Sequence, residues 1–279
     1  MTPRAYAHRS MTTTPATLTP ATMTMLDDVR ESVRQHRVWR FIGWREVARQ
    51  YERTLLGVFW IPLNVLLHVG TLGLVYSVIF DGGKKYFAYF AMSYSIWKAF
   101  GLMLGSAASL WPSSEKYITH LPAPISLFVA KGVYKMVIVM ALSLPVGVIL
   151  AIATGARPGW MVLLAVPGVI IYVLNILWIM TVLSLICLRS RDVRQLVPNL
   201  LFIIFLTTPI MWQVKKLGDH QWVALVNPLY HMIELVRAPV LGQMPSPLSW
   251  GVGIGMAVVG NAFGFTLLAV LRRRIALWL

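Results

Sequence analysis

The chain has 279 residues, of which 57% are hydrophobic and only 13% charged, with a mean hydropathy of +0.68. A water-soluble domain needs a polar exterior that this composition does not supply, so the chain reads as an integral membrane protein. Its formal charge of +15 would suggest nucleic acid in a soluble chain; in a membrane protein it is first a matter of topology.

Residues 1–25 are rich in Thr, Pro, Ala and Met, lack the apolar core of a signal peptide, and are expected to form a disordered tail. Over 26–54, Phe41, Trp44, Ala48, Tyr51 and Leu55 recur at spacings of three and four, while Arg45, Arg49 and Arg53 fall four apart on another face. This spacing predicts a basic amphipathic helix in the cytoplasmic interface, its arginines toward anionic headgroups. Such a helix serves either as an anchor alone or as a cradle for a peripheral partner.

From 55 to the C-terminus, apolar runs predict six spans, at about 55–80, 86–110, 125–153, 160–188, 195–212 and 248–271. Pro62, Pro145 and Pro167 lie inside spans, which intramembrane packing absorbs. In the first, Trp60, Asn64 and His68 fall at i, i+4 and i+8; in the fifth, Phe205, Thr208 and Trp212 fall at i, i+3 and i+7. Stripes of this kind either glue helices together or line a passage. Lys98 interrupts the second span; a lysine near mid-bilayer costs about 2.5–3.5 kcal/mol on insertion scales and therefore faces the protein interior or a wet cavity. Lys131 and Lys135 share one face of the third span nearer its cytoplasmic end, where their long stems allow snorkelling.

Between spans two and three, residues 111–124 read as a loop carrying Glu115, Lys116 and His120, with Ser113 or Ser114 placed to cap a short helix and Pro122 and Pro124 to end it. An exposed glutamate is usually only solvated, but a short helix offered to the cytoplasm is what a docking partner would grip. Residues 213–247 form a long connector. Its 228–241 part is apolar but interrupted by His231, Glu234 and Arg237 and is too short to span. A re-entrant or surface-lying helical pair fits, either as a plain lid or as a segment that meets cargo.

An even number of spans puts both termini on one side. That side holds sixteen cations: nine arginines before span one (Arg4 to Arg53), Lys116, then Arg189, Arg191 and Arg194, and Arg272, Arg273 and Arg274. The other side holds six, namely Lys84, Lys85, Arg157, Lys215, Lys216 and Arg237. By the positive-inside rule the termini are cytoplasmic, and nucleic acid is no longer needed to explain the charge.

Motifs for chemistry are sparse. The single cysteine, Cys187, excludes an internal disulfide framework, and the absence of G-x-x-x-x-G-K-[ST] excludes a P-loop. All ten acids lie outside the six expected spans, which disfavours proton-coupled transport and intramembrane hydrolysis. The six histidines show no paired metal-ligand spacing, and no G-x-S-x-G elbow occurs.

The pattern REVARQYERTLLGVFWIPLNVLLHVGTLGLVYSVIF, Arg45 to Phe80, resembles the interface helix and first span of ABC-2 type permeases that export lipid-linked polysaccharides. EKYITHLPAPISLFVAK from Glu115, RDV from Arg191, TPIMW from Thr208 and NPLYHMIELVR from Asn227 resemble, in order, that family's coupling loop, the segment before its span five, the end of that span and its gate region. The match covers roughly residues 40–275, and the order and spacing of the motifs carry it. The 40-residue N-terminal lead and Lys98 have no counterpart in the pattern.

The resemblance implies an all-α permease subunit of the bacterial inner membrane that dimerises, binds two copies of a separate ATPase and passes a lipid-linked sugar polymer outward. ATP and Mg would sit in the partner, leaving this chain without a cofactor. The implied coupling residues are Arg45, Arg49, Glu115, Lys116, Tyr117 and His120, and the implied gate residues Asn227, Pro228, His231, Glu234 and Arg237. The candidate lining of the path is the two stripes, Trp60, Asn64, His68 and Phe205, Thr208, Trp212, together with Lys98. Two other functions compete: an ABC-2 exporter of a small hydrophobic drug or lipid, and a membrane-embedded enzyme that modifies glycans or lipids.

Overall fold

A computed structural model of the protein describes residues 24–120 and 123–279. The expected tail falls almost wholly outside them, as does the side chain of His120. All regular structure among the described residues is helical: α1 (Met25–Arg34), α2 (His36–Arg49), α3 (Trp60–Ile79), α4 (Gly83–His120), α5 (Ile125–Ala153), α6 (Ala165–Arg189), α7 (Arg191–Thr207), α8 (Trp222–Leu225), α9 (Pro228–Val240) and α10 (Pro247–Trp278). Short 3₁₀ turns at Gly57–Phe59, Gly159–Leu164 and Val214–His220 join them. Four helical stretches among the described residues are long and apolar enough to cross a membrane: Gly57–Ile79, Ile125–Ala153, Gly159–Arg189 and Pro247–Ile275.

The helix expected over 26–54 is divided. Thr24 and Asp27 form a reciprocal capping box that starts α1, the helix is interrupted at Gln35, and α2 ends at Arg49, so Tyr51 and Leu55 lie beyond it. The side of α2 that meets the bundle is Gly43, Glu46 and Val47, whereas Phe41 and Trp44 point away and are exposed. From α1, the buried Asp28 reaches the start of α5, which has Pro124 at its cap position and no capping side chain of its own. The amides of Ile125 and Ser126 donate to the two Asp28 carboxylate oxygens at 3.0 and 2.9 Å, an acid at the positive end of a helix.

Helix α4 is the central element, packed against α3, α5, α6, α7 and α9. Small residues spaced along it, Ala88, Ala91, Ser93, Ser95, Ala99, Ala107 and Ala108, are buried and let neighbouring backbones approach. It does not stop at the expected loop. Residues 111–120 are its last turns, continuing past Pro112, and Ser113 and Ser114 donate back to the Leu110 carbonyl instead of capping a new helix. Helix α6 packs on α9 and α10. Gly168 makes the first contact possible, since a Cβ there would lie 2.3 Å from the Leu235 carbonyl oxygen.

Candidate functional site: an aromatic groove, a buried arginine and a charged cytoplasmic end

Helices α3 and α7 leave between them a groove of about 590 Å³ floored by α4. His68 and Leu72 line it from α3, Tyr94, Trp97, Lys98, Gly101 and Leu102 from α4, and Leu201, Phe202 and Phe205 from α7. The periodicity of α4 explains the floor: residues 94, 97, 98 and 101 are three and four apart and share one face. The rings form a connected set. His68 stacks on Tyr94 with centroids 5.5 Å apart and planes 16° apart, Trp97 lies 5.5 Å from Phe205, and Phe205 meets Tyr94 edge-on at 6.3 Å.

Of the seven expected lining residues, this groove gathers three, His68, Lys98 and Phe205. Trp60 and Asn64 share the α3 stripe with His68, but their polar groups serve their own helix. Asn64 Nδ2 donates to the Trp60 carbonyl at 2.8 Å, and His68 Nδ1 lies 2.7 Å from the Asn64 carbonyl. The second stripe is not helical. Helix α7 ends at Thr207 and Thr208 is extended, because Pro209 disfavours a helical residue before it and brings no N–H. Thr208 is buried and receives a hydrogen bond from Asn227 at 3.1 Å, while the Trp212 indole donates to the Leu206 carbonyl at 3.0 Å.

The chain after α7 is held by a buried arginine. Arg237, 3% exposed, donates to Ser93 Oγ at 2.9 Å, to the Pro209 carbonyl at 2.8 Å and to Glu234 at 3.0 Å, with its guanidinium 4.1 Å from the centre of the Tyr89 ring. Tyr89 also donates to the Pro209 carbonyl at 2.8 Å, and Tyr86 donates to that of Met211. Arg237, on sequence an extracytoplasmic loop charge, is instead a buried strut joining α9, α4 and the 209–212 turn. Asn227 caps α9 through the Leu229 amide with Pro228 at the first helical position, and His231 is buried between Ser249 Oγ and the Leu225 carbonyl.

At the other end of α4, Glu115, Lys116 and Tyr117 are exposed on its final turns, and Arg45 and Arg49 are exposed on α2. Tyr117 lines a notch of about 210 Å³ with Gln35, Val38, Ile42, Leu127 and Phe128. Just inside lies a charge cluster. Lys131, 1% exposed, donates to Glu46 at 2.7 Å and to Ser114 Oγ at 2.9 Å, and Lys135 donates to the other Glu46 oxygen at 2.8 Å. These lysines do not snorkel; they tie α2 to α5. Burial would raise the Glu46 pKa, but attraction to Lys131 and hydrogen bonds from both ammoniums outweigh it and hold the carboxyl below its ordinary range.

Glu46, Tyr89, Ser93, Tyr94 and Trp97 were not singled out from sequence. Glu46 had a signal: two lysines four apart in an apolar span call for an acid. Among the described residues, no group of three or more His, Cys, Asp or Glu side chains is placed to hold a metal ion.

The family profile described as ABC-2 type transporter matches residues 37–241, a stretch that contains the groove, the Glu46 cluster and Arg237. The chain is also similar to the O-antigen export system permease protein RfbA of Myxococcus xanthus. The two are 27% identical over 195 residues, covering 70% of this chain and 75% of that protein.

Proposed function

The chain belongs to the ABC-2 type transporter family as a multi-pass membrane permease, and from that premise we propose that it is the membrane subunit of an exporter of a saccharide polymer. The observation that carries the cargo class is the groove. Tyr94, Trp97 and Phe205 offer flat apolar faces, and His68 and Lys98 add polar groups at the same wall. A sugar polymer presents the same mixture, ring faces that stack and hydroxyls that hydrogen-bond. The similarity to a permease named for O-antigen export supports the same reading.

In this proposal α4 and α7 complete six spans with the four apolar stretches, both termini are cytoplasmic, and the protein resides in the bacterial inner membrane. Two copies of the chain meet so that their grooves face a common path. Two copies of a separate ATPase supply the energy, gripping Glu115, Lys116, Tyr117 and the α2 face that carries Arg45 and Arg49. The polymer arrives on a lipid anchor. Helix α9, with Asn227, Pro228, His231, Glu234 and Arg237, is the outer gate, and α1 and α2 lie in the interface among membrane lipids. An exporter of small apolar molecules would use an apolar groove equally well, but it gives no role to the polar wall of His68 and Lys98.

The test is site-specific crosslinking in cells that export the polymer. A photoreactive residue at position 205 should capture polymer during active export, and one at position 152, an exposed position on α5 away from the groove, should not. Capture at 152 and never at 205 would remove the groove from the path.

A further inference from the structure

We infer that the groove contains an anion subsite centred on Lys98, and that the cargo unit seated there is an acidic sugar bearing a carboxylate or a phosphate. The inference rests on reading the groove as the path of a saccharide and names the chemistry that distinguishes this path.

The bundle shows how it treats a lysine that it needs for structure. Lys131 and Lys135 both pair with the Glu46 carboxylate at hydrogen-bond distance. Lys98 is handled differently: it is half-buried in the groove wall, and among the described residues no carboxylate lies within ion-pair distance of it. A cation left in the groove wall without a counter-charge stands open to an anion that comes and goes.

The surroundings specify what carries the anion. Tyr94 and Trp97 flank Lys98 on the same helix, Phe205 closes on both from α7, and Gly101, three residues on, adds no side chain to the space beside the ammonium. His68 supplies a second polar contact. A carbonyl oxygen only accepts, so the Nδ1 that meets the Asn64 carbonyl carries the proton. Nε2 is left with no hydrogen-bond partner among the described residues, and a hydroxyl, which both donates and accepts, suits it. A charged donor, a ring nitrogen open to a hydroxyl and an aromatic platform together match one hexose unit with an acid substituent. A wholly neutral polymer would need only the last two.

Bilayer phosphate could supply the same anion, and the test separates the two sources. The full chain, in nanodiscs of phosphatidylcholine, is titrated with tetragalacturonate and with its fully methyl-esterified form, which keeps the rings and removes the charge. The acid should bind the native protein about tenfold more tightly than the ester, a factor that fits one exposed charge-assisted contact. That ratio should fall to near one in Lys98→Gln and recover in Lys98→Arg, while the ester binds all three alike.

Equal binding of acid and ester to the native protein, or a ratio that survives in Lys98→Gln, would overturn the proposal. So would a ratio abolished when anionic phosphatidylglycerol is added to the disc, which would assign Lys98 to bilayer phosphate. Phe205→Ala keeps the two readings apart. An ester that binds this variant undiminished removes the groove from sugar binding altogether. An ester weakened by it, with the acid no tighter than the ester in the native protein, removes the anion subsite alone.

Discussion

Replacing Glu46 with Gln keeps the shape of the side chain and removes the carboxylate that pairs with both Lys131 and Lys135. Lys131 is 1% exposed, so the variant leaves an ammonium inside the bundle with Ser114 Oγ at 2.9 Å, the Phe128 ring face and the new amide oxygen in place of a carboxylate. Breaking a buried pair from one side costs about 3–5 kcal/mol, chiefly through the stranded charge. Glu46 is itself partly open, with 22% of its side chain exposed, so the lower end of that range, about 3 kcal/mol, is expected here. The assay is unfolding in mixed micelles titrated with sodium dodecyl sulfate, read by near-UV dichroism. The companion variant Lys131→Met removes the more deeply buried partner, and Glu46→Gln should cost less in that background, because only the more exposed Lys135 is then stranded. A Glu46→Gln protein as stable as the native one, or one that loses the same stability in the Lys131→Met background, would refute the reasoning.

The same cluster sets a pH dependence. The folded state holds the Glu46 carboxyl below its ordinary range, so its contribution is fully present above about pH 5 and is lost as pH falls through the depressed folded value. The stability difference between native protein and Glu46→Gln should therefore be flat from pH 8 to pH 6 and shrink only on acidification; shrinkage between pH 8 and 6 would contradict it. In Gly168→Val, the added Cβ would sit 2.3 Å from the Leu235 carbonyl oxygen, and α9 must move off α6 at a cost of roughly 1–3 kcal/mol. Size-exclusion profiles of the solubilised variant should show less monodisperse protein than Gly70→Val, whose position is open; equal profiles would mean that α6 and α9 tolerate separation.

What could be read from sequence was what is local. Long apolar runs announced several apolar helices because a stretch of about 20 residues carries its own hydropathy. Helix ends were harder. The stripe through Phe205, Thr208 and Trp212 was drawn across Pro209, although an X-Pro bond already argues against a helical Thr208. The reverse holds at 111–120, where Pro and Ser favour a loop on sequence. There the two serine hydroxyls fold back on Leu110 and the helix runs on, since tertiary packing of the buried Trp111 and Ser114 outweighs local preference. The partners of Lys131 and Arg237 lie far off in sequence, Glu46 by 85 residues and Ser93 by 144, and no periodicity within one helix can reveal them. The groove was half legible for the same reason: His68, Lys98 and Phe205 each stood out alone, and only the packing of α3 and α7 on α4 brings them to one wall.

That packing makes α4 the one element common to all three regions. Its 38 residues correspond to about 57 Å of helix at 1.5 Å per residue, longer than the hydrocarbon layer is thick. Tyr86, Tyr89 and Ser93 on it hold the turn after α7, directly or through Arg237; Tyr94, Trp97 and Lys98 floor the groove; Glu115, Lys116 and Tyr117 stand exposed at its end. In the proposed exporter, a push by the ATPase on residues 115–117 therefore needs no relay through loops to reach the groove. As one continuous helix, α4 passes a displacement of its end toward the groove, and the hydrogen bonds of Tyr89 and Arg237 to the 209–212 turn carry it to α9. Ser114 refines this route, because it bonds Lys131 and so joins the moving end of α4 to the α2–α5 clamp. Loss of Glu46 would loosen that clamp without touching the groove, leaving cargo binding in place while the stroke from the cytoplasmic end is weakened.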